Sequence, residues 1–453
     1  MSPLRSEIRR MAGLGIPVAA AQLSTMLLGF VDTVMVGRVS VEAIGAVALA
    51  NVWVFGTLMF ANGVLMGIDP VVAQAHGAGD GERAGRALQT GLVLAGLLSL
   101  PVAALWLGTE RFLLATGQDA ELARAAHAYT VVQLPGIPCF LAYGALRQYL
   151  QGREHMRPAL WVILAANLFN VLFNWILIFG HLGAPALGVV GAGIATTLTR
   201  TVTLAGLLLW TRVFALHEGA WVSWSRASFD PRRLARVAAL GLPVAFQVAF
   251  EMWAFGAAGL LAGRLGAVPL AAHTIALNMA ALAFMLPLGV SQGAATRVGN
   301  LIGAGRPHDA QRAAWVSLAM GGGVMALSAT LFVALRFWLP RIYTADAAVI
   351  AACAAILPIG AAFQIFDGTQ VVGCGVLRGM GRTRPAMVFN LLSYWGLGLP
   401  LGAWLAFSRG WGLAGIWCGL ALGLGVVATL LVGWIRLRGP AVDGAPLAGA
   451  QHV

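Results

Sequence analysis

The sequence predicts an all-α integral membrane protein, with twelve transmembrane helices in two homologous six-helix lobes. Three observations carry that prediction. Of 453 residues, 59% are hydrophobic and only 10% are charged, against about 25% charged in an average soluble domain. Apolar runs of about 20 residues or more, enough to cross a hydrocarbon core of roughly 30 Å as helices, recur along the whole chain. The second half repeats the first at a nearly constant offset.

Taken in order, the apolar runs are 12–36, 46–70, 88–108, 128–150, 160–180, 187–211, 238–262, 272–296, 313–338, 350–374, 386–407 and 411–435. The first follows Arg5, Arg9 and Arg10 but is too long for a signal-peptide core and lacks a persuasive cleavage site, so it reads as a helix. Polar residues interrupt only some spans: Asp32 in the first, Asp69 near the end of the second, and Asn170 and Asn174 in the fifth. Arg200 falls in the sixth, Glu251 in the seventh, His273 in the eighth and Asp367 in the tenth. Cys139, Cys353, Cys374 and Cys418 are scattered without metal-ligand spacing and read as small core residues.

All 29 basic residues are arginine. Counting Arg147 and Arg336, at span ends, with the adjoining connections, the N-terminus and the even-numbered connections carry 21 of them and the odd-numbered connections 7, while Arg200 sits well within a span. By the positive-inside rule both termini are cytoplasmic. The net charge of +12 is then mostly a topology signal facing anionic lipid, not a nucleic-acid footprint.

Residues 15–87 align with 241–313 at an offset of 226 without a gap: Gly15 and Pro17 fall on Gly241 and Pro243, Gly63 on Gly289, and Gly77-Ala78-Gly79 on Gly303-Ala304-Gly305. At an offset of 227, Arg157-Pro158 falls on Arg384-Pro385. The expected organisation is an N-terminal lobe over 1–210, an inter-lobe cytoplasmic loop over 211–237, a C-terminal lobe over 238–436 and a disordered cytoplasmic tail over 437–453. Six helices per copy give both lobes the same orientation, as in transporters that move substrate through a cleft between two lobes. The acids are not duplicated: Glu251 falls opposite Thr25, Asp32 opposite Ala258 and Asp367 opposite Phe140. A scaffold role would place them in both copies, so they read as functional additions.

A charged side chain at the centre of a membrane helix costs about 2.5–3.5 kcal/mol on insertion scales, unless it is protonated, paired or bound to a cation. Glu251 lies roughly 20 Å along its helix from both Arg236 and Arg264, near the midplane. Asp367 is also deep, and Asp32 is nearer the outer end of its span. Each is either a coupling acid or a structural one, Arg200 being the counter-ion in reach. Asn170 and Asn174 stand four apart and share a helix face. They either offer oxygens to a hard cation such as Na⁺ or join helices by hydrogen bonds. His273 is a proton relay or a hydrogen-bonded helix contact, and Asp69 a lip residue. The run Gly289-Val290-Ser291-Gln292-Gly293 fits a hydrolase elbow in letters only, since no strand precedes it.

These motifs together resemble a known family. LGIPVAAAQL, VDTVMVGR, VAQAHGAGD, NLFNVLFN, AAHTIALN, VGNLIGAG and FDGTQVVGCGVLRGMGRTRP, spread over residues 8 to 436, resemble the multidrug and toxic compound extrusion (MATE) transporters, specifically the NorM-like branch. The resemblance implies drug efflux driven by inward Na⁺ or H⁺, with no cofactor beyond the coupling ion. Asp32, Glu251 and Asp367 match its membrane carboxylates, and Asn170, Asn174 and Thr196 the polar partners of the first-lobe acid. Phe284 matches an aromatic lining the second lobe, and Pro17 a first-helix proline implicated in bending. Phe363 stands where several NorM relatives carry tyrosine, so that hydroxyl is missing.

The expected protein is thus a monomeric secondary antiporter of the bacterial inner (cytoplasmic) membrane and not an enzyme. Its partners are small-molecule drugs, organic cations and membrane lipid, with no nucleic acid. Asp32, Asn170, Asn174 and Thr196 form the principal site for the coupling cation, with Na⁺ as the metal to fit Asp32 and the asparagines. Glu251 and Asp367 bind drug or protons, flanked by Trp253, Phe284 and Phe363, whose rings suit a cationic ligand. A major-facilitator transporter is a rival, but Asp80-Gly81-Glu82-Arg83 fits its loop motif poorly. A lipid-linked sugar flippase of the same superfamily would line its cavity with several arginines, where this chain places only Arg200 well inside a span.

Overall fold

The computed structural model describes residues 3–447, and among these it is built of helices without a strand. In chain order the helices are α1 (Pro3–Val36), α2 (Val41–Leu65, resumed as Ile68–Gly77), α3 (Gly81–Leu107) and α4 (Ala120–Val131 and Gly136–Gly152). Next come α5 (Arg157–Phe179), α6 (Gly188–Val213), α7 (Pro231–Arg264), α8 (Ala267–Gly303), α9 (Pro307–Ala334) and α10 (Ala347–Gly379). The last two are α11 (Thr383–Ser408) and α12 (Gly412–Arg438). Eleven are long and apolar enough to cross a membrane singly, and the bent pair of α4 makes the twelfth.

Local chemistry sets the helix ends. Ser40, Asp80 and Asp346 each accept backbone N–H groups from the first turn that follows, satisfying donors that a helix N-terminus leaves free. The two segments of α4 meet at 54°. Pro135 lies in the break and has no N–H to continue the ladder. Helices outrun the apolar windows: α8 has 37 residues, about 55 Å of helix at 1.5 Å per residue. Hydropathy marks the bilayer, not where a helix stops.

The chain forms two compact units. One holds the residues up to Ala19, Ala73–Gly79 and everything from Phe246 onward; the other holds Ala20–Val72 and Asp80–Ala245. In both α1 and α7 the handover comes two residues past a proline, Pro17 and Pro243, which are equivalent in the duplication. In the first unit α8, α9, α10 and α12 pack on one another. Ser291 donates to the Val371 carbonyl at 2.6 Å. Glu7 pairs with Arg297 through two hydrogen bonds of 2.7 and 3.0 Å.

In the second unit α5 packs on α6, and α3 on the second segment of α4. The start of α7 crosses α2 at glycines: a Cβ on Gly241 would stand 1.8 Å from the Val64 carbonyl oxygen.

The basic connection before α7 is fastened to the second unit. Gln89 donates to the Val222 carbonyl at 2.7 Å and accepts from Ser228 at 2.7 Å, and Tyr149 donates to Ala220 at 2.9 Å. The segment expected to be a disordered tail from 437 is folded through Leu447. It holds the end of α12 and a turn of helix over Pro440–Asp443, and the Leu447 N–H donates to Gln74 Oε1 at 2.8 Å. Polar side chains from other elements, Gln74 and Gln311, receive this segment's backbone donors. The remainder of that tail, 448–453, lies outside the described residues.

Candidate functional site

In the second unit, Asp32 of α1 is 6% exposed and takes its partners from α5 and α6. Asn174 Nδ2 donates to Asp32 Oδ1 at 2.5 Å and also to Asn170 Oδ1 at 3.2 Å. Thr196 of α6 donates to Asp32 Oδ2 at 3.4 Å, and Asn170 Nδ2 lies 3.5 Å from Thr199 Oγ1. The four residues matched to the first-lobe site therefore form one buried cluster. The spacing of four on α5 makes this possible, because it stacks both amides toward one carboxylate. In this arrangement Asn174 presents an N–H group to the acid, while its Oδ1 is buried without a partner. Rotation of that amide would turn its oxygen inward, toward a cation.

Arg200, one turn beyond Thr196, is within electrostatic reach of Asp32 but makes no ion pair with it among the described residues. Its guanidinium lies over Phe140 and Trp106, at 5.6 and 5.8 Å from the ring centroids. The counter-charge is held on aromatic faces instead of on the carboxylate. Asp69, at the resumption of α2, is buried; the Gln148 amide, in its hydrogen-bonding orientation, donates to Asp69 Oδ1 at 3.3 Å.

The first unit gathers Glu251 of α7 and Asp367 of α10, the latter 4% exposed. Gln370 Nε2 donates to Glu251 Oε2 at 3.4 Å and to Asn390 Oδ1 of α11 at 3.1 Å. Asp367 is within electrostatic reach of Glu251, and its Oδ1 has no hydrogen-bond partner. Two carboxylates within electrostatic reach of each other in apolar surroundings cannot both stay ionised without a proton or a cation. Phe363 is fully buried, edge-to-face with Phe255 and Trp417 at 5.9 and 5.6 Å. Phe284 packs half-buried against the α8–α10 core.

Trp253 does not join this group. Two residues past Glu251 on a helix it projects to another face, where it is 55% exposed and contacts Phe250. His273 is buried with neither ring nitrogen hydrogen-bonded; its ring meets Trp417 edge-on at 5.7 Å. The helix contact expected of it is therefore an aromatic one.

Sequence reasoning passed over Gln370, Asn390, Thr199 and Tyr394. The signal for Gln370 was present: an amide three residues from a membrane acid shares its helix face. Tyr394 carried no such signal, because its place depends on the local winding of α11.

A twelve-helix membrane protein with buried acids in each of two units, written as a duplication, is of the transporter class. The chain belongs to the MatE family, whose model matches residues 17–176 and 243–404. It is a NorM-like member. It is 37% identical over 447 residues to a probable multidrug resistance protein NorM of Mesorhizobium japonicum, covering 95% of this chain and 94% of that one. It is 36% identical to the multidrug resistance protein PmpM of Pseudomonas aeruginosa, covering 94% and 91%. The structure is similar to the crystal structure of the eukaryotic MATE transporter AtDTX14, with a TM-score of 0.88 over 97% of each chain at 23% identity.

Proposed function

We propose that this transporter is a secondary active multidrug efflux antiporter, exporting amphipathic and cationic compounds in exchange for Na⁺ or H⁺. The observation that supports this most is that both units bury carboxylates among neutral polar groups, with no ion pair to neutralise Asp32, Glu251 or Asp367 among the described residues. Such acids are stable in a membrane only with a bound proton, metal cation or organic cation. An acid that alternates between coupling ion and drug exchanges one for the other.

In this reading Asp32, with Asn170, Asn174 and Thr196, is the principal site for the coupling cation. Glu251 and Asp367 hold drug or protons, and Phe284 and Phe363 supply aromatic faces to the drug. The protein works as a monomer in the bacterial inner membrane with both termini cytoplasmic, the halves 1–210 and 238–436 serving as its lobes. The test is dye efflux from everted vesicles in which a Na⁺ gradient and a pH gradient are imposed separately. One of the two gradients drives efflux; if neither does, the antiport reading fails.

A further inference from the structure

α11 departs from ordinary helical winding. After a regular start over Thr383–Asn390 it passes through two π-helical segments, Leu391–Gly398 and Trp404–Ser408. Its counterpart in the first half, α5, is regular throughout. At the offset of 227 that superposes their first turns, Phe179, the last residue of α5, falls on Ala406, and α11 continues two residues further, to Ser408. A π turn rotates the side chains that follow it relative to an α-helix, and such turns are frequent at functional sites.

The first π segment carries Tyr394. Its side chain is fully buried, its ring is edge-to-face with Phe255 at 5.9 Å, and its hydroxyl has no hydrogen-bond partner. The titratable groups within electrostatic reach of it are Glu251 of α7 and Asp367 and Cys374 of α10. The segment is tied to the acids on both sides of Tyr394. Before it, Asn390 is linked through Gln370 to Glu251. After it, Trp395 Nε1 donates to the carbonyl of Phe250, the residue preceding Glu251, at 3.1 Å. Phe255, one turn beyond Glu251, meets both Tyr394 and Phe363, one turn before Asp367, so the unpartnered hydroxyl and the unpartnered Asp367 Oδ1 lie on segments packed around the same ring.

We infer that Tyr394 is the hydroxyl ligand of the Glu251–Asp367 pair, delivered from α11 by the π turn in place of the hydroxyl that Phe363 lacks. A phenol can do two things there. Its O–H donates to an ionised carboxylate, and when a hard monovalent cation or a proton occupies the pair, its lone pairs face that cation. The inference rests on the reading of Glu251 and Asp367 as exchange acids.

The test uses reconstituted full-length protein with two probes: binding of radiolabelled Na⁺, and protons released into weak buffer when ethidium is added. Tyr394→Phe keeps the ring and removes the hydroxyl available to the charged or cation-bound pair, so the probe that responds in the parent should weaken about tenfold or more. The double variant Phe363→Tyr/Tyr394→Phe returns a hydroxyl from α10, one turn before Asp367, and should recover part of the loss, which a merely structural role for Tyr394 would not produce. A Tyr394→Phe protein equal to the parent in both probes, alongside an impaired Glu251→Gln, overturns the inference. A Glu251→Gln protein equal to the parent overturns the exchange-acid reading itself, and the role of Tyr394 with it.

Discussion

Glu251 is linked through Gln370 to Asn390, with Asp367 and Tyr394 within electrostatic reach, and the first copy of the duplicated sequence has no matching acids. Glu251→Gln and Asp367→Asn should therefore each abolish or strongly reduce drug efflux at unchanged expression; normal transport in both would make them structural. Asn174 separates the two sites. With its amide on Asp32, Asn174→Ala should weaken ion-triggered release more than drug affinity, and Glu251→Gln should do the reverse. Equilibrium drug binding and ion-triggered release, measured on both purified variants, decide the matter. The Asp32 cluster was legible because its partners lie four apart on regular helices, where spacing fixes the shared face. The Tyr394 hydroxyl was not, since an apolar run such as LLSYWGLG has no polar period to betray a π turn.

At the scale of the element, membrane spans were legible from hydrophobic length alone, and their interruptions less so. The 128–150 run conceals the bend of α4, although Pro135 marks the place. The crossing of α2 and α7 depends on glycine at a position whose Cβ would overlap a backbone carbonyl. Gly241→Val should therefore lose about 1–3 kcal/mol or more of stability, as overpacking does. Its effect is to be read as a lowered melting temperature by fluorescence-detected size exclusion. Gly256→Ala, with open space around it, should melt within a degree or two of the parent.

For the whole molecule, arginine placement of 21 against 7 predicts cytoplasmic termini. Reporters fused at Gly439 and within residues 108–118 test this, and a periplasmic C-terminus would overturn the arrangement in two like-oriented lobes. The duplication was legible from glycines and prolines at fixed offsets, but not the way the compact units divide the chain, because that division follows packing and not descent. It has a consequence for synthesis. The segment up to Ala19 belongs with residues 246–453, and Gly15 packs on Val290 while Glu7 pairs with Arg297. The opening turns of α1 must therefore wait, once synthesised, for partners made more than two hundred residues later. Domain-by-domain folding from the N-terminus, the usual order in nascent chains, can complete neither unit until α7 has emerged.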